Sequence, residues 1–132
     1  SGPERYLSSY QMLLELLNEV AKDTTPAGAR AVGRLVAHLV TLRNMSISVA
    51  AKLEAGEDPA LDGAIVKEVG TLFEQSVPLI SHQTLEREPS PHNGDDFEQT
   101  LAYTTLAASA FAVRGGTREI VRGIIARGLG LR

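Results

Sequence analysis

Apolar residues recur at helical spacing along nearly the whole chain. From Tyr6 to Ala21 they fall at Tyr6, Tyr10, Leu13, Leu14, Leu17, Val20 and Ala21, which predicts one amphipathic helix with a single buried stripe. "KDTTPAGAR" breaks that stripe. Thr25 followed by Pro26 is a helix start: a hydroxyl caps the free amides, and a proline's missing N–H costs nothing at the first position. The second helix then runs over about 26–55, with Val32, Leu35, Val36, Leu39, Leu42, Val49 and Leu53 on its stripe and Met45 and Ile47 close by. Gly56 is its stop. At 1.5 Å per residue such a helix spans about 45 Å, a length that suits a bundle.

Asp58-Pro59 opens the third helix, whose apolar side is Leu61, Ile65, Val69, Leu72, Phe73, Leu79 and Ile80. Pro78 falls inside this pattern and is expected to kink the helix or end it early. "EREPSPHNGDD" is the clear loop, with two prolines and a glycine. Asp95 or Asp96 can cap the fourth helix, which runs through Leu101, Leu106 and Phe111 to about Val113. A short fifth helix covers about 118–127. No segment has strand periodicity and no internal repeat is present. The expected fold is all-α: one domain over 1–132, an up-down four-helix bundle with an extra short C-terminal helix.

Composition narrows the function. A chain of 132 residues can bury roughly two thirds of the surface its unfolded form exposes. The formal net charge of −3 argues against nucleic acid as the main partner, because phosphate binding needs a basic excess. There is no cysteine, hence no disulfide and no thiolate chemistry, which suits a reducing cytoplasm. No apolar run approaches the roughly 20 residues of a membrane span. "SGPERYLSS" has no signal-peptide character and reads as a cut inside a longer protein.

The chemistry concentrates in "FAVRGGTREIVRGIIARGLGLR". Gly115 and Gly116 can take positive φ and let another molecule approach the backbone. Thr117 can cap the last helix, whose N-terminus presents free N–H groups to an anion. Arg114, Arg118 and Arg122 add positive charge around that end. The plain alternative is a tight turn, a cap and a solvated arginine face.

The stretch "GGTREIVRGIIARGLGL" resembles the C-terminal signature of the acyl-CoA dehydrogenase family, with Thr117, Glu119, Ile120, Arg122, Ile124, Ile125, Ala126 and Arg127 in family positions. The length and helix order also resemble that family's C-terminal helical domain, about the last third of a complete enzyme. The resemblance implies FAD-dependent α,β-dehydrogenation of an acyl-CoA thioester to a trans-enoyl-CoA. It further implies a homo-oligomer and an electron-transfer flavoprotein-like acceptor. Gly116, Thr117 and Glu119 are the implied FAD contacts. In many members a glutamate directly before the Gly-Thr takes the α-proton; here that position is Gly115, which cannot act as a base. In others the base stands at the start of the domain's first helix, in a Glu-Arg-Leu setting. "GPERYLSS" resembles that segment and makes Glu4 the implied catalytic base. The bland reading of Glu4 is a first-turn acid favoured by the helix dipole.

Two family segments are absent. An Arg-x-x-Phe-Gly flavin-phosphate contact has no match in "DTTPAGARAVG", where Arg30 is the nearest candidate, and "SHQTLEREPSPHNGDDF" does not match Gln-x-x-Gly-Gly-x-Gly-Tyr. His38 reads as a packed core histidine, and no acid or histidine stands at metal-ligand spacing from His82 or His92. Two classes stay open: the C-terminal domain of a flavin acyl-CoA dehydrogenase, or a non-catalytic helical assembly module of the same ancestry that has lost FAD binding. Wide apolar helix faces, that of the second helix above all, point to a dimer or tetramer.

Overall fold

A computed structural model describes residues 5–131. These residues are all-helical. A 3-10 turn, Arg5–Leu7, precedes five α-helices: α1 Tyr10–Lys22, α2 Pro26–Glu54, α3 Ala60–Leu85, α4 Asp96–Phe111 and α5 Arg118–Gly128. α3 packs against every other element, and α1 also lies on α2 and α4. Its buried residues fit that central place. Ala64, Val66, Gly70, Phe73, Glu74, Val77 and Ser81 fall on more than one side of the helix, so it has no free polar half. The core around it comprises Met12, Leu16, Leu35, Leu42, Phe73, Val77, Phe97 and Leu101, all essentially inaccessible.

Local chemistry sets most boundaries. The Thr25 hydroxyl accepts from the Gly28 N–H at 3.0 Å, with Pro26 at the first helical position. α2 ends at Glu54, and the chain turns away at Gly56, where φ is 74°. The Asp58 carboxylate accepts from the Ala60 N–H at 2.9 Å at the start of α3. Asp95 and Glu98 form a reciprocal capping box on α4. α3 ends on Glu86 in the left-handed region, with φ 52° and its N–H donating to the His82 carbonyl.

One expectation is corrected, and of the two outcomes expected at Pro78, a kink or an early end, the early end does not occur. The first helix does not begin at Tyr6: the chain makes a 3-10 turn, passes Ser8 and Ser9, and enters α1 at Tyr10. The buried stripe therefore shifts to Met12, Leu13, Leu16 and Val20, leaving Tyr10, Leu17 and Ala21 exposed. Pro78 does not end α3, which continues to Leu85. Pro78 has no N–H for the carbonyl four residues back, that of Glu74. The Ser9 hydroxyl supplies the missing donor, at 2.7 Å, in a fully buried contact. The same contact accounts for both departures, since it holds Ser9 in the turn against α3. The second helix's stripe is also narrower than expected: Val36, Ile47 and Leu53 are exposed while Leu35, Leu42 and Val49 are buried.

Candidate functional site

The corner between α4 and α5 is built from backbone that only glycine adopts with ease. Gly115 has φ 68° and Gly116 φ 106°. A Cβ on Gly116 would meet nothing closer than Ile120 Cγ2, at 3.8 Å, so the backbone there is open to approach. A side chain at either position would carry positive-φ strain of about 1 kcal/mol.

Thr117 is the residue before α5 and has extended backbone, but its side chain makes no cap hydrogen bond to the helix. This corrects the expected cap. Glu119 is exposed, and its own backbone N–H, with the Thr117 hydroxyl beside it, holds its carboxyl below the usual glutamate value of 4.5. The free end of α5 is thus partly answered by an acid of its own first turn.

The arginines around the corner are committed inward. Arg118 Nη2 lies 2.8 Å and Arg122 Nε 2.8 Å from Glu68 Oε1 on α3. Hydrogen bonding to Arg118 above all, and then to Arg122, holds the Glu68 carboxyl below its ordinary value. Lys67 Nζ, one residue earlier, donates to the Gly116 carbonyl. Arg114 Nη2 lies 3.0 Å from Oε2 of Glu74, a carboxylate with 1% of its side chain exposed. The Arg114 guanidinium also covers the Phe111 ring, 4.8 Å from its centre, and its Nε is buried without a hydrogen-bond partner.

Glu74 gathers a third segment. Its Oε1 accepts from the backbone N–H of Ser8 at 2.9 Å, and its main-chain carbonyl takes the Ser9 hydroxyl. Tyr6, buried, faces Gly70 one turn earlier on α3. α3 residues Lys67, Glu68 and Glu74 therefore hold the corner, the start of α5 and the entry to α1. The structure brings Gly116, Thr117 and Glu119 together at the corner. Glu4 lies outside the described residues.

Nothing in the pattern singled out Glu74 or Glu68. One signal pointed to Glu74: it stands four residues before Pro78, where a carbonyl must find another donor.

Arg30 is not part of this cluster. It lies with Arg34 in an open groove against Ile80, Gln83 and Thr84 of α3. Ile80 is about 20 Å along α3 from Lys67 at 1.5 Å per residue. His38 meets the edge of Phe73, ring centres 5.3 Å apart, and burial lowers its pKa, with Arg34 adding to the effect. Among the described residues no group of His, Cys, Asp or Glu could hold a metal ion, and no helix is long and apolar enough to cross a membrane.

The fit to FAD is partial. The open backbone at Gly116 can lie against a flat group, but Arg114, Arg118 and Arg122 each already face a glutamate. A pyrophosphate would have to displace one of those pairs, and Glu119 adds like charge beside it. Compared with known protein families, curated proteins and solved structures, the chain matches none.

Proposed function

We propose that the chain is the C-terminal helical domain of a flavin-dependent acyl-CoA dehydrogenase, an up-down four-helix bundle with a short fifth helix. One observation carries this reading. The Gly-Gly-Thr corner, which holds one of the family's two positions for the base, and the Tyr6–Ser9 stretch, which follows the other in the sequence, are held against one face of α3. Under this reading Glu4 takes the α-proton of the acyl thioester. A carboxylate does this best within hydrogen-bond reach of that carbon, in a dry site that raises its basicity. Bound FAD supplies the hydride acceptor. Gly116, Thr117 and Glu119 form the chain's contact with it, and the pyrophosphate contacts belong to residues elsewhere in the polypeptide. The enzyme works in the cytoplasm and passes electrons to a flavoprotein-like acceptor.

Assembly belongs to the same reading. From Gln99 to Val113 the chain has no charged residue, although Tyr103, Leu106 and Val113 are exposed. An average chain is about a quarter charged, so an uncharged outer face supports burial against a second copy. Sedimentation at high micromolar concentration is expected to give a dimer or tetramer, and a clean monomer contradicts it.

A second reading has its own support. The inward pairing of all three corner arginines favours a non-catalytic assembly module that has lost its flavin contacts. The full-length polypeptide separates the two. The dehydrogenase reading expects yellow protein with stoichiometric FAD that bleaches anaerobically with an acyl-CoA. Colourless protein indifferent to acyl-CoA favours the assembly module.

A further inference from the structure

Burying a carboxylate is costly, and an apolar residue of similar size is often cheaper in a helical core. Glu74 is nonetheless nearly inaccessible at the centre of α3. Its two oxygens are divided between segments far apart in sequence. Oε1 holds the Ser8 N–H at 2.9 Å, and Oε2 holds Arg114 at 3.0 Å. Its main-chain carbonyl, orphaned by Pro78, holds the Ser9 hydroxyl. Three polar groups of one residue thus fasten the entry to α1 and the corner before α5.

We propose that Glu74 is a positioning residue that couples the segment leading into α1 to the α4–α5 corner, so that displacement of either loosens the other. If Arg114 leaves, the carboxylate stays buried with its charge uncompensated. It regains solvation only by drawing in water, and water reaches it by loosening the Ser8–Ser9 turn. If the turn leaves, Oε1 and the Glu74 carbonyl lose their donors, and the carboxylate shifts with its remaining partner, Arg114. The buried Arg114 Nε has no bond of its own, so Arg114's polar hold on α3 runs through Nη2 and Oε2, while Lys67 holds the Gly116 carbonyl separately.

The meaning for catalysis rests on the dehydrogenase reading. Glu4 stands four residues before Ser8, and Gly115 follows Arg114 directly. Glu74 would then fix the backbone that carries the base relative to the corner that meets the flavin. The coupling itself does not depend on that reading.

Hydrogen exchange on the 132-residue chain, without flavin or acyl-CoA, tests it. The peptides to follow span 6–12 and 111–120. Arg114 is partly exposed, so Arg114→Gln retains the fold. It is expected to speed exchange about tenfold in both peptides, the usual weight of a charge-assisted hydrogen bond. Arg114→Lys keeps the charge beside Glu74 and is expected to restore protection in both. Glu74→Gln should loosen the same pair of peptides, and if it does not fold, the Arg114 variants decide. Loosening confined to 111–120 overturns the proposal, as does equal loosening by Lys and Gln. Paired loosening in a protein whose full-length form never binds flavin preserves the coupling and removes only the dehydrogenase reading.

Discussion

The C-terminal end of α3 and its middle solve the same electrostatic problem with opposite stoichiometry. At its C-terminal end one arginine, Arg87, gathers three carboxylates: Glu19 at 3.0 Å, Glu98 at 3.0 Å, and Asp95. In its middle two glutamates, Glu68 and Glu74, gather three arginines. The first cluster joins a loop, a helix cap and α1, and Asp95 is half exposed. The second has a fully buried member and fastens backbone as well as side chains. An ion pair in water contributes little because solvent already satisfies both partners. A buried carboxylate has no such alternative, so its partners become obligatory. The loop end is therefore a clasp that can open locally, and the middle a fixed joint.

The largest expected effect comes from breaking the joint. Arg114→Ala leaves Glu74 buried and uncompensated and should cost about 3 kcal/mol in urea unfolding. A loss below about 1 kcal/mol would place the two clusters on the same footing. Next comes acid. The folded-state pKa values of Glu68, Asp95 and Glu119 are depressed, so the stability they add is full above their unfolded values and lost as pH falls through the folded ones. Melting temperature should therefore fall below about pH 4. Glu68→Gln should flatten that fall, and an unchanged acid slope would remove Glu68 from the account.

Arg87→Ala should cost about 1 kcal/mol, and part of that should vanish in high salt, because Asp95 is half exposed and Glu19 and Glu98 keep a fraction of their side chains in solvent. Retention of the full cost in molar salt would make the loop end a joint too. The smallest effect concerns the exit from α3. Glu86 holds φ 52°, where glycine is unstrained, so Glu86→Gly should stabilise by about 0.5 kcal/mol. Destabilisation would show that the Glu86 side chain contributes more than its backbone costs.

Much of the fold was legible because its punctuation is local. Thr25-Pro26, Gly56, Asp58-Pro59 and Asp95 mark boundaries within a turn of where they fall, by hydrogen bonds each segment makes with itself. The start of α1 was not legible. Ser9 could have capped a helix, but its hydroxyl is taken by the Glu74 carbonyl, 65 residues away, and only the folded core makes that contact. Thr117 was misread as a cap: it stands at the cap position with extended backbone, but its side chain makes no bond to the helix. At the candidate site the glycine corner was visible in the sequence. The pairing of Arg118 and Arg122 with Glu68 was not, because it spans 50 and 54 residues and carries no helical spacing.

The dehydrogenase account stands most directly on Glu4. Gly115 offers no carboxylate, and its φ of 68° disfavours placing one there. In the proposed full-length flavoprotein, Glu4→Gln keeps size and hydrogen bonding while removing the proposed base. Flavin reduction by an acyl-CoA substrate, followed by stopped flow, should slow by about 10²–10⁴-fold with flavin and acyl-CoA binding retained. Reduction at the wild-type rate would contradict the account and place the base outside this chain.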